Sequence, residues 1–584
     1  MTADAVPNGD AWTASRTALG MTPAGGFNMA WAALGRRAAA GHGAEPALRC
    51  IRPDGTATVW SVDDLWAMTG RTATVLRRLG LEPGGTVFTL LPRRVELFAT
   101  LLGTLLAGGV AAPLFPTFGP EPLRLRLELG GARLLVTTVS LWQRKAAAAV
   151  AAMADPPAVL LLSDDGGPLP ADRHDFAELV KAAAPQTLPA ATGPGDAALL
   201  HFTSGTTGRP KGALHAHGAL VAQHATARSV LGLDGGDVYW CTADPGWVTG
   251  TLYGVLAPLA CGAEVVVDEG DFDPARWVRL AADQRVAVWY TTPTALRLMM
   301  RCGDGLAGGL DLSALRHLAT VGEPLNPEAM AWSARTLGTP ARDTWWQTET
   351  GAIMIATPAD EAPVPGAIGR PVPGIKAALL RRTGQGVEPV TGTGDVGEIA
   401  LRTPWPSLFL GYLGEESRTR ACFAGGWYLS GDLARRDADG RFHFVGRSDD
   451  VIKTSGHLVG PYEVEQVLMQ HPAVLEAGVI GVPCPISGES VKGFVTLRPG
   501  VSADDTLAAD ILAHARRALG PALAPRAIAF VPALPHTGSG KIVRRLLKAH
   551  ELGLPEGDVS SVTDTTPPPA ADARQNSRAP LGTA

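Results

Sequence analysis

The 584-residue chain has few cysteines and no excess of positive charge. Its six cysteines are scattered and never form a C-x-x-C pair, which argues against a disulfide framework or a zinc site. A formal net charge of −5 provides no basic field for nucleic acid or for an anionic membrane. The opening residues lack the charged and then apolar pattern of a signal segment. These absences favour a cytoplasmic protein with small-molecule partners, and with neither nucleic acid nor a membrane among them.

One stretch without charge, Leu97 to Phe115, is about as long as a membrane span. Two glycines, Gly108 and Gly109, divide it into a half with helical periodicity and a short strand-like half. The pattern therefore predicts a buried helix followed by a buried strand, and not a segment that crosses a bilayer.

Helix-like and strand-like segments alternate from about residue 27 to about residue 447, which predicts layered α/β structure. Ser61 and Asp64 form a capping pattern at the start of an amphipathic helix. We expect a flexible segment over residues 1–26, a large domain of several α/β subdomains over 27–448, a small α+β domain over 449–555, and a disordered tail over 556–584.

A loop rich in hydroxyls and glycine, ending in a lysine, is the strongest chemical signal. Glycines let backbone N–H groups converge on an anion, hydroxyls add donors, and the lysine adds a positive charge. It is not a Walker A loop, because Lys211 is followed by Gly212 and not by a hydroxyl residue. A flexible linker is the alternative, but the apolar run 197–200 before the loop favours a phosphate site. The candidate residues are Thr203, Ser204, Gly205, Thr206, Thr207 and Lys211.

The loop resembles the phosphate loop of the adenylate-forming superfamily, and further strings recur in that superfamily's order. Several of them are similar to segments of acetyl-CoA synthetases and of short- to medium-chain acyl-CoA synthetases. The strings are Trp240 to Gly250, Val321 to Glu328, Asp343 to Gly351, Tyr428 to Asp432, Gly446 to Asp450, Ser455 to His457 and Pro535 to Lys541. The resemblance implies an acyl-CoA synthetase-like fold whose small C-terminal domain is mobile.

The resemblance implies an AMP-forming acyl-CoA ligase that uses ATP, Mg²⁺ and CoA. A carboxylate attacks the α-phosphate of ATP, pyrophosphate leaves, and the CoA thiol then displaces AMP. Lys541, Glu349 and Thr203 are the implied catalytic residues, with Glu349 as the Mg²⁺ ligand. Besides the loop, the implied nucleotide contacts are Gly322, Glu323, Pro324, Asp343, Thr344, Trp345, Gln347, Thr348, Asp432 and Arg447.

The second half-reaction is implied to follow a swing of the small domain about Asp449. That swing would withdraw Lys541 and present Ser455 and Gly456 to the pantetheine of CoA. Lys541 itself is expected at the start of a helix that runs to Glu551, where a positive charge opposes the helix dipole. Such a placement indicates that something other than helix stability favours the lysine.

Residues that match the closed acyl pocket of the short-chain enzymes are Val248, Thr249, Val321 and Trp346. A bulky indole in the tunnel would exclude long chains, so acetate or propionate is the favoured substrate. One departure is Leu458, where many acetyl-CoA synthetases have an arginine near the phosphates. The open alternatives are a ligase for a bulkier acid, an enzyme with impaired adenylation and intact thioester formation, a non-catalytic adenylate binder, and a free carrier protein as acceptor. A monomer or homodimer is expected.

Overall fold

The computed structural model describes residues 10–22, 25–164, 169–170, 173–203, 210–454, 457–485, 487–521, 523–537, 541–556, 559 and 562. The chain divides into two compact units. The larger comprises Met1–Ser430 with Arg435–Phe444, and the smaller comprises Gly431–Ala434 with Val445–Ala584. The domain boundaries expected from the sequence stay a prediction.

A nine-stranded sheet forms one layer of the larger unit. Its six central strands are mutually parallel, and its three outer strands pair antiparallel. The order is Arg370–Pro371, Ile355–Ala356, Ala341–Trp345, His317–Thr320, Val288–Thr291, Val238–Cys241, Glu264–Asp268, Pro46–Ile51 and Ala57–Ser61. The central strands are almost wholly buried, as expected for parallel strands covered by helices on both faces.

A second sheet of eight strands carries the phosphate-loop segment. Its order is Gly411–Tyr412, Lys211–Ala216, Ala197–Thr203, Val110–Leu114, Thr86–Leu90, Ala132–Thr138, Ala158–Leu162 and His174–Asp175. The first two strands pair antiparallel at one edge, and the others run parallel.

A third sheet has six strands: Gly386–Pro389, Ala377–Thr383, Gly397–Arg402, Trp427–Arg436, Phe423–Ala424 and Phe442–Arg447. The helices of the larger unit pack around the first two sheets. They are Asp10–Ala18, Trp31–Gly35, Arg36–Ala39, Val62–Arg78, Val95–Leu106, Pro120–Leu129, Val139–Leu141, Trp142–Ala146, Ala147–Ala151, Phe176–Ala182, His217–Ala219, Leu220–Ser229, Val248–Thr251, Leu252–Leu256, Ala257–Cys261, Pro274–Asp283, Pro293–Met300, Asp304–Ala307, Pro327–Thr336 and Glu416–Ala421.

In the part of the smaller unit that the structure describes, a five-stranded sheet is accompanied by three helices. Its strands are His457–Val459, Ile452–Thr454, Gly488–Leu497, Val474–Cys484 and Ala527–Phe530. Its helices are Pro461–Met469, Asp505–Leu519 and Arg544–Leu552. Aliphatic side chains from the strands and from the first two helices form its main core. The mixed α/β and α+β classes predicted from the sequence are confirmed.

Local predictions for the larger unit hold well. The helix Val62–Arg78 begins with a capping box between Ser61 and Asp64. The uncharged stretch forms the helix Val95–Leu106 and the buried strand Val110–Leu114. None of the described helices combines the length and the apolar character that crossing a bilayer would need.

The expectations of flexibility near the two chain ends compare differently with the structure. Residues 10–18, expected to be flexible, form a helix instead, because Trp12 is buried against the backbone at Gly374. Of the tail 556–584, expected to be disordered, only residues 556, 559 and 562 are described, so that expectation lies almost entirely outside the described residues.

Candidate active site

The predicted acyl-pocket residues lie at the carboxyl end of the parallel strands. Strand order in the nine-stranded sheet reverses between Val238–Cys241 and Val288–Thr291. Ligands of open α/β sheets bind at such a reversal, in the crevice outside the carboxyl ends of the strands. The residues that follow these strands include the four predicted for the pocket, Val248, Thr249, Val321 and Trp346.

The four predicted pocket residues are buried but not completely inaccessible to solvent. They retain 5–8% of their accessible surface, whereas Tyr253 and Tyr290 behind them retain none. The indole N–H of Trp346 donates to the hydroxyl of Tyr290 over 3.1 Å. Its ring also meets Tyr253 edge-on, with centroids 5.3 Å apart. The indole is therefore held in place by two buried aromatic side chains.

The predicted adenine-side turn, residues 322–324, is held by carboxylates. Glu323 accepts hydrogen bonds from the backbone N–H of Thr294 at 2.7 Å and from the guanidinium of Arg297 at 2.8 Å. Asp343 accepts from the N–H of the residue that follows the turn, at 3.1 Å. Because its carboxylate is engaged in this way, Glu323 shapes the turn. A nucleotide contact at Glu323 stays a prediction, and backbone atoms would make it because the side chain is already hydrogen-bonded.

Asp343 gives the protein a predicted pH dependence. Desolvation raises the pKa of its carboxyl from 3.8 to about 7, although backbone N–H groups of Leu325 and Thr344 oppose the shift. Between these two values the folded state holds a proton that the unfolded state has lost, so stability falls as the pH rises through this window. We expect the melting temperature of the wild type to fall relative to that of Asp343→Asn as the pH is raised from about 5 to about 8. Parallel melting profiles for the two proteins would contradict the shifted pKa.

Residues 347–351, predicted to contact nucleotide and magnesium, form a turn that is tied down at several points. The hydroxyl of Thr350 accepts from the N–H of Gln347 at 3.0 Å. The carbonyl of Thr350 accepts from the indole of Trp405 at 3.0 Å and from the hydroxyl of Ser407 at 2.7 Å. The glycine that ends the turn has φ of 67°, and a Cβ there would collide with the carbonyl of Ser407. The turn is thus a rigid platform for its side chains.

The other predicted nucleotide residues of this segment have well-defined places. The amide of Gln347 donates to the carbonyl of Ser430 at 2.9 Å and accepts from the hydroxyl of Tyr428 at 2.7 Å. The carbonyl of Thr348 accepts from the glycine N–H at the end of the turn, at 3.2 Å. The side chains of Thr344 and Trp345 are buried in their strand.

Thr203, Lys211 and Glu349 are brought together around Tyr412. Thr203 ends one strand and Lys211 begins the next, and the two residues stand directly opposite each other in the antiparallel ladder. The ammonium of Lys211 lies 5.0 Å from the centre of the Tyr412 ring. The hydroxyl of Tyr412 donates to the carboxylate of Glu349 at 2.6 Å. Burial and the charge of Glu349 raise the pKa of Tyr412 well above its usual value, so the phenol keeps its proton and acts as the donor.

The residues around Glu349 fit a single magnesium ion that is shared with phosphate. Tyr412 donates to one carboxylate oxygen of Glu349, and no described residue donates to the other. Mg²⁺ binds through one or two carboxylates together with substrate phosphates and water. Among the described residues there is no group of three or more His, Cys, Asp or Glu that could hold a metal ion alone.

Removing the Tyr412 hydroxyl should weaken nucleotide binding. In Tyr412→Phe the Glu349 carboxylate loses its donor, whereas the ring below Lys211 remains. We expect the KM for ATP with Mg²⁺ to rise about tenfold, since a hydrogen bond to a charged group contributes about 1.5–3 kcal/mol. Steady-state kinetics at varied ATP and Mg²⁺ check this result. A KM that rises for the carboxylic acid and not for ATP would show that Tyr412 does not orient Glu349.

The smaller unit carries its own charged cluster. Arg447 bridges two carboxylates, with its Nη1 3.1 Å from Asp432 and its Nε 3.1 Å from Asp449. Asp432 is only 5% exposed. A buried carboxylate beside a guanidinium can also accept hydrogen bonds from hydroxyl groups.

Lys541 lies near this cluster. It is exposed as a residue, yet desolvation and Arg447 lower the pKa of its ammonium, while Asp432 and Asp450 oppose the shift. The expected helix start at Lys541 is wrong, since the helix begins at Arg544. The N–H of Lys541 donates to the hydroxyl of Thr537 at 3.1 Å, and its carbonyl accepts from the N–H of Thr537 at 2.8 Å. The dipole argument therefore does not apply to Lys541.

Several predicted residues lie outside the described part of the chain. These are Ser204, Gly205, Thr206 and Thr207 of the phosphate loop and the CoA-facing Ser455 and Gly456. For Leu458 the structure gives the backbone alone, in a strand that pairs with Ile452–Thr454. Their functional roles stay predictions.

Sequence reasoning missed the tyrosines of the site. The chain has only six tyrosines, and four of them touch predicted site residues: Tyr253, Tyr290, Tyr412 and Tyr428. Their rarity is a signal that could have drawn attention to them, but their partners are too distant in sequence to be inferred.

Comparison with known families gives two matches. The model described as "AMP-binding enzyme" matches residues 35–413, and that described as "AMP-binding enzyme C-terminal domain" matches residues 463–541. The chain belongs to the AMP-binding enzyme family. Membership confirms the resemblance seen in the motifs, and the second match covers most of the smaller unit's core.

Curated relatives in this family are similar over most of their length. The acetyl-coenzyme A synthetase of Bacillus subtilis (strain 168) is 42% identical over 496 residues, which is 85% of both chains. That of Deinococcus radiodurans is 37% identical over 566 residues, which is 93% of this chain and 86% of the relative.

Solved structures of similar proteins share the fold. An acyl-CoA synthetase from Brucella canis has a TM-score of 0.72 at 35% identity, covering 92% of this chain and 96% of that one. An anthranilate CoA ligase in complex with anthranoyl-AMP has a TM-score of 0.81 at 25% identity, covering 91% and 98%. The predicted acyl-CoA synthetase-like fold is confirmed.

Proposed function

We propose that this member of the AMP-binding enzyme family is an AMP-forming acyl-CoA ligase for a short-chain carboxylic acid. The observation that carries the proposal is the cluster of Thr203, Lys211 and Glu349 around Tyr412. It joins the two ends of the predicted phosphate loop to a carboxylate suited to a shared Mg²⁺. The names of the relatives, acetyl-coenzyme A synthetases, support the reaction and the acid class.

The first half-reaction joins two anions, so its barrier is largely electrostatic. The acid's oxygen attacks the α-phosphate of ATP, and the bond to pyrophosphate breaks. Lys211 and the hydroxyl of Thr203 bind the outgoing phosphates, and Lys541 neutralises charge that builds up on the phosphate oxygens. Mg²⁺ at Glu349 would supply a further positive charge to those oxygens. Asp432 accepts hydrogen bonds from the ribose hydroxyls.

The acid's size follows from the aromatic closure of the pocket. Trp346, which contacts Tyr290 and Tyr253, is assigned to the end of the acyl pocket, with Val248, Thr249 and Val321 as its other walls. Acetate and propionate fit this description best. The nucleotide roles of Gly322, Glu323, Pro324, Asp343, Thr344, Trp345, Gln347, Thr348 and Arg447 belong to the same proposal.

The second half-reaction transfers the acyl group to CoA. The thiol sulfur forms a bond to the acyl carbonyl carbon, and the bond to AMP breaks. We assign Ser455 and Gly456 to the CoA side and Asp449 to the hinge. A cytoplasmic setting is supported by the six cysteines, none of which pairs with another. A monomer or homodimer remains part of the proposal.

ATP–pyrophosphate exchange and CoA thioester formation, measured side by side with acetate, butyrate, octanoate and benzoate, test the proposal. We expect both activities, with acetate preferred. Thioester formation from supplied acetyl-AMP without exchange would locate a defect in adenylation and implicate Leu458. Dominance of octanoate or benzoate would reject the short-chain assignment. Neither activity with any acid would favour a non-catalytic adenylate binder.

A further inference from the structure

Three hydrogen bonds connect the indole of Trp346 to the backbone of a neighbouring strand. Trp346 Nε1 lies 3.1 Å from the hydroxyl of Tyr290. That hydroxyl lies 2.7 Å from the hydroxyl of Thr344. Thr344 in turn donates to the carbonyl of Thr320 at 2.7 Å.

The direction of this relay is fixed by the chemistry of its groups. An indole N–H can only donate, so the Tyr290 oxygen accepts from Trp346. The hydroxyl of Thr344 donates its proton to the carbonyl of Thr320, so the hydroxyl of Tyr290 must donate to the oxygen of Thr344. Tyr290 and Thr320 are fully buried, and no water can replace a missing partner without cost. The relay therefore has one arrangement, and that arrangement sets the position of the indole.

The packing of Tyr253 against Trp346 fixes the orientation of the indole less specifically than the hydrogen-bond relay does. The ring of Tyr253 meets Trp346 edge-on at 5.3 Å and Tyr290 edge-on at 5.8 Å. The hydroxyl of Tyr253 points elsewhere, toward the hydroxyl of Thr226 at 2.7 Å and the N–H of Ile353 at 2.8 Å. Tyr253 therefore holds the indole by ring contact alone, whereas the N–H of Trp346 has its hydrogen-bond partner in Tyr290.

We propose that Tyr290 is a positioning residue that sets the length of the acid, because it holds the Trp346 indole across the end of the acyl pocket. The inference rests on the proposed function, and it deepens it by naming a determinant behind the pocket wall. Without the hydroxyl of Tyr290, the indole can turn aside and admit linear acids of four or more carbons. Acids of two or three carbons gain nothing from that movement.

The test is Tyr290→Phe, which removes one oxygen and keeps the ring. Acyl-CoA formation is measured with acetate, propionate, butyrate and hexanoate. We expect the kcat/KM ratio of butyrate to acetate to rise about tenfold, the lower end of the discrimination that methylene groups produce in apolar pockets. The KM for ATP should stay unchanged. A purely structural role would lower kcat/KM for all acids alike and leave the ratio where it was, which would overturn the proposal.

Tyr253→Phe is the matched control, because it removes an equally buried hydroxyl that does not bond to Trp346. In Tyr253→Phe the kcat/KM ratio of butyrate to acetate should equal that of the wild type. A rise as large as that in Tyr290→Phe would overturn the proposal. In a Trp346→Gly background, Tyr290→Phe should cause no further change in the kcat/KM ratio of butyrate to acetate. If the ratio rises there as much as it does in the presence of Trp346, the proposal is overturned.

Two variants of Thr344 test the relay without changing Tyr290, so the test does not depend on whether Tyr290→Phe folds. Thr344→Ser retains the relay and should keep the wild-type ratio, whereas Thr344→Val breaks it one step away and should raise the ratio. Equal ratios in the two variants would overturn the proposal. If the wild type converts none of the four acids, the proposed function fails and this inference falls with it. If the wild type is active and the ratio does not move, only this inference fails.

Discussion

Lys541→Ala is expected to abolish adenylation while leaving thioester formation intact. The ammonium acts on charge that appears only as pyrophosphate departs, so its loss raises the barrier of the first half-reaction. We expect ATP–pyrophosphate exchange to fall about 10³-fold, comparable to the removal of a preorganised donor from an oxyanion site. Conversion of supplied acetyl-AMP and CoA to acetyl-CoA should proceed at the wild-type rate, because the second step needs no such charge.

Lys548→Ala is the matched control for this result. Lys548 lies in the same unit, on the helix Arg544–Leu552, and pairs with Glu489 at 3.3 Å on a partly exposed surface. Surface pairs of this kind contribute little to stability. Exchange should therefore match the wild type. Exchange that survives in Lys541→Ala, or that falls equally in both variants, would remove Lys541 from the reaction.

Trp346→Gly is expected to change which acid the enzyme prefers. The substitution deletes the whole indole, and the space behind it is lined by Tyr253 and Tyr290. We expect the kcat/KM ratio of octanoate to acetate to rise by at least about 10²-fold, since each added methylene in an apolar pocket is worth roughly 1–3 kcal/mol. Acetate turnover itself should fall, because a small acid no longer fills the pocket.

Trp345→Phe serves as the comparison for Trp346→Gly. Trp345 is the adjacent residue and is equally buried, but it lies within the strand Ala341–Trp345 and precedes the pocket wall. Its substitution should lower stability and leave the ratio of the two acids unchanged. If Trp346→Gly loses activity on every acid in proportion, the indole supports the core and does not limit chain length.

The sequence predicted features that depend on neighbouring residues. The capping box of Ser61 and Asp64 spans one helical turn, so its signature is complete within a few positions. The same is true of the helix and strand within Leu97 to Phe115, where two glycines mark the break. Local composition also predicts Thr203 and Lys211 as the ends of a phosphate loop, and that role stays a prediction.

Features that depend on distant partners were missed. Tyr412 matters because it touches both Glu349 and Lys211, which lie 63 and about 200 residues away along the chain. No local pattern encodes such a meeting. The helix at residues 10–18 forms for a related reason: Trp12 finds a burial site at Gly374, and tertiary packing overrides a weak local preference.

The start of the last helix illustrates a third case. Periodicity alone predicts a start at Lys541, whereas the N–H of Lys541 donates to the hydroxyl of Thr537 and the helix begins at Arg544. Side-chain to backbone hydrogen bonds compete with helix formation at such boundaries. The ambiguity covers only a few residues, yet it decides whether the lysine belongs to a helix or to a loop.

Thr203 and Lys211, the two ends of the predicted phosphate loop, pair directly with each other in the sheet. Both ends are fixed by one rung of a ladder, so residues added or deleted between them leave the framework in register. One residue inserted after Lys211 would instead shift the following strand by one position and turn its side chains to the opposite face. In the proposed function, changes between the two ends can therefore alter the contacts with phosphate while Lys211 keeps its position in the ladder.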